Sequence, residues 1–431
     1  MSHYAKQYQL RFNAGKTKVV VTGSKLDMAF YKDTKPWTLD GKRVMVVENN
    51  EHLGLVVSGS DEEQKNVDEN IVKCRNSIFA LLGPVFAFKC LLSPTVQVHL
   101  WRACSLPALL SGLPALPIRP TNLKSLEIFQ HKILRGFLKL SNSSPLPALF
   151  FLLGELPIEG TLHIRTLGLF HNICINPDTT VFTMVAYILK MCSSSSTTWS
   201  NHIQLLCKQY GLPSPLSVLM SAEAWSKEAW MDLVKTRVTV WHETRQRALA
   251  LTNTKMTYLN VQLHGLSGRP HPVIQNIDRT QDAKKLRLHL KFLSGDYLTN
   301  ERLAIDQPGR SPACLLCGAA IDNIEHVLVS CRATKDIRDR LLPDLLNTVA
   351  IVQPACQILD LPPAPHILAQ FVVDCSSFNL PDKIRIPTHN PGISEIFRLS
   401  RDWCFGISSE RFRLLGSCET GKEDDLAIYS T

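Results

Sequence analysis

Over residues 1–60 the apolar positions come in short β-branched runs, and from about residue 61 they recur at helical spacing. Thr17–Thr22 reads Thr-Lys-Val-Val-Val-Thr, Val44–Val47 and Leu53–Val57 are further runs, and Thr38-Leu39-Asp40-Gly41-Lys42 supplies a turn between them. Such runs broken by turn residues predict short strands. Asp61-Glu62-Glu63 then places negative charge where a helix N-terminus favours it. Within 121–140, Leu126, Phe129, Ile133, Phe137 and Leu140 form one apolar stripe, with Thr121 or Asn122 as the expected cap. Lys124, His131, Arg135 and Lys139 fall on the opposite face, beside Lys132. Helices are also predicted over 221–250, which carries Trp225, Trp230 and Trp241, and over 391–415, which carries Arg398, Arg401, Arg411 and Arg413. A shorter one covers 282–293, with Leu286, Leu290 and Leu293 inward and Lys284, Arg287 and Lys291 outward. Ser193–Thr198 reads as a loop, and the chain turns Pro-rich after about 346. The expected fold class is mainly α with a small N-terminal β portion (α+β).

Composition narrows this picture. The chain has 431 residues, a hydrophobic share of 45% and a charged share of 20%, which excludes wholesale disorder. The longest apolar stretches, Ile78–Phe88 and Leu146–Leu153, fall short of the ~20 residues a spanning helix needs. No membrane association is expected. The first residues show no apolar export segment, and the Cys count, 13, is odd. An intracellular protein, cytoplasmic or nuclear and not secreted, with free thiols fits better than a disulfide framework. The net charge of +9 is uneven: residues 70–170 hold ten Lys/Arg against three Asp/Glu. A local basic excess of that size points to a polyanionic partner.

The sharpest chemical signal is Cys314-Leu-Leu-Cys317-Gly, followed by His326 and Cys331. Two thiolates two residues apart can wrap one side of a small ion, and a His and a Cys five residues apart can close the other. Three thiolates and one imidazole suit one Zn²⁺, and four protein ligands leave no open position, so the expected cofactor is structural. Lys284, Arg287 and Lys291 flank this cluster and could meet RNA phosphates. The region 261–345 has only 12 Lys/Arg against 10 Asp/Glu, so a folding staple remains an equal reading.

Several of these pieces resemble, in order, parts of the reverse transcriptases of non-LTR (LINE-type) retrotransposons. Phe12-Asn13-Ala14-Gly15-Lys16-Thr17 resembles the Phe-Asn-x-x-Lys-Thr motif of the palm, and Glu51-His52-Leu53-Gly54 resembles the primer-grip motif that follows it. Residues 70–175 are similar to the helical thumb, and Gly154-Glu155-Leu156-Pro157-Ile158 with Arg165 to a piece beyond it. Lys285-Leu-Arg287-Leu, Gly295-Asp-Tyr297 and the cysteine cluster are similar to a C-terminal zinc knuckle. The resemblance implies a palm remnant with its primer-grip-like motif (1–60; Asn13, Lys16, Thr17, Leu53 and Gly54) and a thumb-like bundle (61–175). A helical connector (176–260), a basic helix plus knuckle (261–345) and a C-terminal extension (346–431) follow.

The family's metal-binding aspartates precede the Asn-x-x-Lys-Thr motif, and no Asp lies before Asn13. Two-metal polymerisation needs those carboxylates, so the expectation is a fragment with no catalytic residues that does not polymerise alone. It is expected to bind RNA or a primer–template duplex without reading sequence, through Lys124, His131, Lys132, Arg135 and Lys139 and through Lys284, Arg287 and Lys291. Other retrotransposon proteins are possible associates. The alternatives are a protein-interaction scaffold with a purely structural zinc, and a nuclease using Asp344, Asp360, Asp374 and Lys383, whose spacing suggests no site.

Overall fold

The structure, a computed structural model, describes residues 7–8, 13, 15–21, 37–39, 41–52, 54–58, 61–87, 92–191, 198–221, 225–275, 280–359, 363–378 and 391–418. Those residues are mainly helical, with six short strands among them near the N-terminus. The chain divides into two compact units, each built from separated stretches: 1–83, 100–129 and 158–238 form the first, and 84–99, 130–157 and 239–431 the second.

In the first unit the strands are β1 (Lys18–Val20), β2 (Thr38–Leu39), β3 (Lys42–Arg43), β4 (Met45–Val47), β5 (Asn49–His52) and β6 (Leu55–Ser58). β1 and β4 pair in parallel, Lys18 opposite Met45. β2–β3 and β5–β6 are antiparallel hairpins, the second with Asn49 opposite Ser58. Gly41 and Gly54 supply the left-handed turn residues, at φ 74° and 83°. The Glu51–Gly54 motif therefore sits at a hairpin tip; Leu53 itself, like Phe12, lies outside the described residues. Helix α1 (Glu62–Ala87) follows. Its Asn66 imitates a neighbouring strand: the Val56 N–H donates to Asn66 Oδ1 (2.9 Å), and Asn66 Nδ2 donates to the Val56 carbonyl (2.8 Å). A strand edge that would otherwise be open is thereby satisfied at that position.

Helix α2 (Pro120–Leu138) buries Leu126, Phe129 and Phe137 of the predicted stripe, but Leu134 is buried in place of Ile133, which is only half-buried. Its start differs from expectation. Pro120 takes the first turn, where its missing N–H costs nothing, and Asn122 is no cap: its amide donates to Glu63 Oε1 (2.7 Å), which also belongs to an ion pair with Arg119. Helices α3 (Leu146–Leu153), α4 (Ile158–Cys174), α5 (Thr180–Met191), α6 (Trp199–Gln209) and α7 (Lys227–Leu251) continue the chain. In the first unit, Trp230 of α7 is wholly buried and its indole N–H donates to the Leu167 carbonyl of α4 (3.1 Å).

The second unit is organised around α8 (Thr280–Leu293), α9 (Lys335–Val352), α10 (Pro365–Val373) and α11 (Pro391–Cys418). α11 packs against the other three and against the turn that carries His326, and Phe371, Phe397, Trp403 and Ile407 fill the core. The apolar α3 is buried along nearly its whole length and ends at Gly154, φ 61°. There the Gly268 N–H donates to the Gly154 carbonyl (2.9 Å) and the His271 N–H to the Leu152 carbonyl (2.8 Å). A Cβ on Gly154 would stand 2.1 Å from the Arg269 carbonyl oxygen, so only glycine fits.

Among the described residues no helix is long and apolar enough to cross a membrane. The Ser193–Thr198 loop lies almost entirely outside those residues, as do Asp360, Lys383 and the tail after 418.

Candidate metal centre and basic surface

The four residues singled out by their spacing converge in the second unit. Each of Cys314, Cys317, His326 and Cys331 offers one donor atom, and all four atoms lie within 4.8 Å of one another. Cys314 Sγ and Cys331 Sγ are 3.9 Å apart, and Cys317 Sγ is 3.3 Å from His326 Nε2. Zn–S bonds of ~2.3 Å at tetrahedral angles would separate two sulfurs by about 3.8 Å, so the donors fit a small tetrahedral ion. The local fold explains the convergence. Gly318, at φ 73°, turns the chain so that its own N–H reaches the Cys314 carbonyl (2.9 Å) and the Cys314 N–H reaches the Ala319 carbonyl (2.8 Å). On the other side Asn323 Oδ1 accepts the His326 N–H (2.8 Å), and the Cys331 N–H closes on the His326 carbonyl (2.8 Å).

Burial would keep Cys317 protonated, but hydrogen bonds from the Ala319 backbone and the neighbouring thiols hold it below the ordinary thiol range. Cys331 is pushed up to about 11 by burial and by the other two thiols. A divalent ion reverses that repulsion, because three crowded thiolates then share a positive centre.

Two arginines surround the cluster. Arg411 of α11 places Nη1 3.8 Å from Cys314 Sγ, and its Nη2 pairs at 2.6 Å with Asp322, both side chains being almost fully buried. Burial opposes that charge, yet Asp322 holds the guanidinium well above its usual range. Arg338 donates to the Cys331 carbonyl and, at 2.8 Å, to Thr334 Oγ1. Three thiolates and one imidazole around a divalent ion carry one net negative charge, and these cations offset it. Trp403 Nε1 donates to the Leu328 carbonyl (3.1 Å), tying α11 to the same turn.

A second cluster was invisible to spacing. His264, His271 and Asp374 also bring donor atoms within 4.8 Å. Their lone pairs are already engaged. His271 Nδ1 accepts the Val273 N–H (3.2 Å), which puts the proton on Nε2, the atom facing Asp374 Oδ1 at 3.4 Å. Asp374 also accepts from the Asn260 N–H (3.1 Å) and from Ser376, and His264 Nε2 meets Ser376 Oγ at 3.0 Å. Burial alone would raise Asp374, but His271 and Ser376 hold it at about 2, while burial drives His264 down to about 3. This is a buried hydrogen-bonded network. It accounts for Asp374, one of the nuclease candidates; Asp344 is exposed on α9.

The two basic stripes can be placed residue by residue. Lys124 is exposed, in the first unit. In the second unit Lys132 is exposed, and His131 packs edge-on against Phe150 (5.7 Å), where burial and Arg135 lower it to about 4, so it is neutral at pH 7. Arg135 donates to the Ser144 carbonyl (3.2 Å). Lys139 ends its helix in the left-handed region, φ 54°. Burial lowers Lys139, and repulsion from Arg287 lowers it further. Arg287 is half-buried and is itself depressed by burial. Lys284 is exposed, Lys291 is half-buried, and Lys285 pairs with Asp402. The nearby acid is Asp296, which accepts from Ser141 Oγ (2.8 Å), Ser144 Oγ (2.8 Å) and Ser143 Oγ (3.2 Å).

The palm-like residues form a turn. Asn13 Oδ1 accepts the Lys16 N–H (3.2 Å), the Asn13 carbonyl accepts the Thr17 hydroxyl (2.9 Å), and Lys16 is exposed. Among the described residues no group of three or more metal-ligating side chains gathers at Lys16. The chain matches no protein-family model and no curated protein.

Proposed function

We propose that this chain is a nucleic-acid-binding piece of a LINE-type reverse transcriptase. It holds RNA or a primer–template duplex by its phosphates, with one structural Zn²⁺ on Cys314, Cys317, His326 and Cys331, and does not extend a primer by itself. The observation that carries this reading is that Asp296, just after α8, accepts from Ser141, Ser143 and Ser144, just after α2, which brings Lys139 near Arg287. Two basic segments more than a hundred residues apart in sequence meet in one unit, where both cations are partly desolvated. A phosphate arriving there relieves repulsion and desolvation together. Contacts of this kind position a duplex and read no bases. The ordered succession of family-like motifs supports the same conclusion.

The test is binding of a labelled primer–template duplex over a range of salt. Affinity should fall steeply with salt, and Lys132→Ala with Arg287→Ala should flatten the log–log slope by roughly 2, about one unit for each phosphate no longer neutralised. No binding at ~50 mM salt, or an unchanged slope in the double variant, would overturn the reading.

A second reading, a protein-interaction scaffold, is favoured by α5, which exposes Val181, Met184, Tyr187 and Met191 along one face. Exposed apolar stripes of that kind mark contact surfaces. Salt-independent association with protein, alongside absent duplex binding, would favour it.

A further inference from the structure

We propose that the first unit binds a phosphomonoester carried on a flat apolar group, the chemistry of a nucleoside monophosphate, in a cleft formed by α4 and the start of α7, with Arg165 and Lys227 holding the phosphate. This goes beyond phosphate-backbone binding and uses none of the residues of the basic surface.

The cleft has a volume of about 430 Å³, within the ~300–1,000 Å³ range of small-molecule sites. Arg165, Gly168, Leu169 and Asn172 line it from one face of α4, at helical spacings of three, one and three. Lys227 and Met231 line it from α7. Gly168 keeps it open: a Cβ there would stand 3.1 Å from Met231 Sδ and push that side chain aside. The surroundings are already fixed. His171 stacks on Trp230 (centroids 5.7 Å apart, planes 13° apart) and its Nε2 faces the Trp225 carbonyl at 3.1 Å. Trp199 Nε1 donates to the Pro114 carbonyl (2.9 Å), anchoring the loop on the rim. A cleft with preset walls loses little entropy on binding.

Charge decides the class of ligand. Arg165 is half-buried, and among the described residues it has neither a hydrogen-bond acceptor nor a carboxylate partner. Burial destabilises its charge, and a guanidinium does not escape by losing its proton. Lys227 is exposed at the mouth, and among the described residues no carboxylate lines the cleft. Two cations without an acid suit a dianion, and a guanidinium matches phosphate with paired hydrogen bonds. The remaining walls are largely apolar (Pro114, Ala115, Leu169, Met231), which suits a flat ring, and the Asn172 amide can both donate to and accept from its edge.

The experiment titrates the full zinc-loaded chain with inorganic phosphate, AMP and UMP, read by tryptophan fluorescence and calorimetry. A mononucleotide should bind saturably and inorganic phosphate at least ~10-fold more weakly. Arg165→Met should weaken the mononucleotide by ~10-fold or more, Arg165→Lys by less, and Lys227→Ala by a few-fold. Arg287→Ala should leave it unchanged, which separates this site from the duplex-binding surface. In a Lys132→Ala/Arg287→Ala background, tighter binding of a 5′-phosphorylated oligonucleotide than of its 5′-hydroxyl counterpart assigns the site to a strand end; equal binding of the two assigns it to the free nucleotide. The proposal is overturned by no saturable binding of any phosphorylated probe, by phosphate binding as tightly as AMP and UMP, or by a folded Arg165→Met chain with unchanged affinity. Should Arg165→Met not fold, unchanged affinity in both Arg165→Lys and Lys227→Ala overturns it equally.

Discussion

Among the described residues of the second unit, metal-ligating atoms gather within 4.8 Å of one another in two places, and these differ in what else those atoms are doing. At Cys314, Cys317, His326 and Cys331 the donors face one another, and the arginines and backbone amides nearby are donors that strengthen thiolate rather than compete with a metal. At His264, His271 and Asp374 the same closeness arises because the side chains bond to Val273, Ser376, Asn260 and each other. Proximity alone does not make a metal site; uncommitted lone pairs do.

The largest expected effect tests that contrast directly. Elemental analysis should find one zinc per chain, lost in Cys317→Ser and retained in Asp374→Asn. Since structural zinc contributes on the order of 10 kcal/mol to folding of small modules, chelation should also abolish cooperative urea unfolding of the second unit. Zinc lost from Asp374→Asn would break the distinction.

Next in size is the ion pair behind the cysteines. Arg411→Met leaves Asp322 buried without its partner, and removal of one member of such a pair costs about 3–5 kcal/mol. The urea midpoint of the zinc-loaded chain measures it. Asp322→Asn, which keeps an acceptor for the Asn300 N–H (2.9 Å), should recover part of the loss when combined with Arg411→Met; no recovery would mean that Arg411 acts chiefly through Cys314.

The smallest effect concerns pH and sharpens the second network. His289 is buried beside it, donates to the Val373 carbonyl (2.7 Å) and is lowered to about 4 by burial. A histidine depressed by folding binds its proton more readily in the unfolded chain. The stability that His289 contributes is therefore full above pH ~6.5 and falls as pH drops towards 4, by about 3 kcal/mol across that window. His289→Gln should flatten this part of the stability–pH curve. His242, buried and likewise near 4, should leave a residual slope.

The Cys314–Cys331 cluster was legible because its four residues lie within one short stretch of chain, and metal-ligand geometry imposes spacing on sequence. The His264–Asp374 network was not, because its members are more than a hundred residues apart and nothing local marks them. The helices over 120–138, 227–251, 280–293 and 391–418 followed from apolar periodicity. Their tertiary roles did not: Arg411 stood out only as one arginine in a basic helix, and His131, expected among the phosphate-facing cations, is half-buried against Phe150 and neutral. The cap expected at Thr121 or Asn122 failed because the helix already begins at Pro120, which puts both residues inside its first turn.

The junction at Gly154 has a consequence for the newly made chain. α3 closes against backbone that is translated more than a hundred residues later, at Gly268 and His271. At ordinary elongation rates of ~5–20 residues per second, the greasy segment Leu146–Leu153 waits on the order of ten seconds for its cover. During synthesis this stretch is the natural landing place for chaperones, and slowing the ribosome between these points should increase aggregation more than slowing it after residue 280.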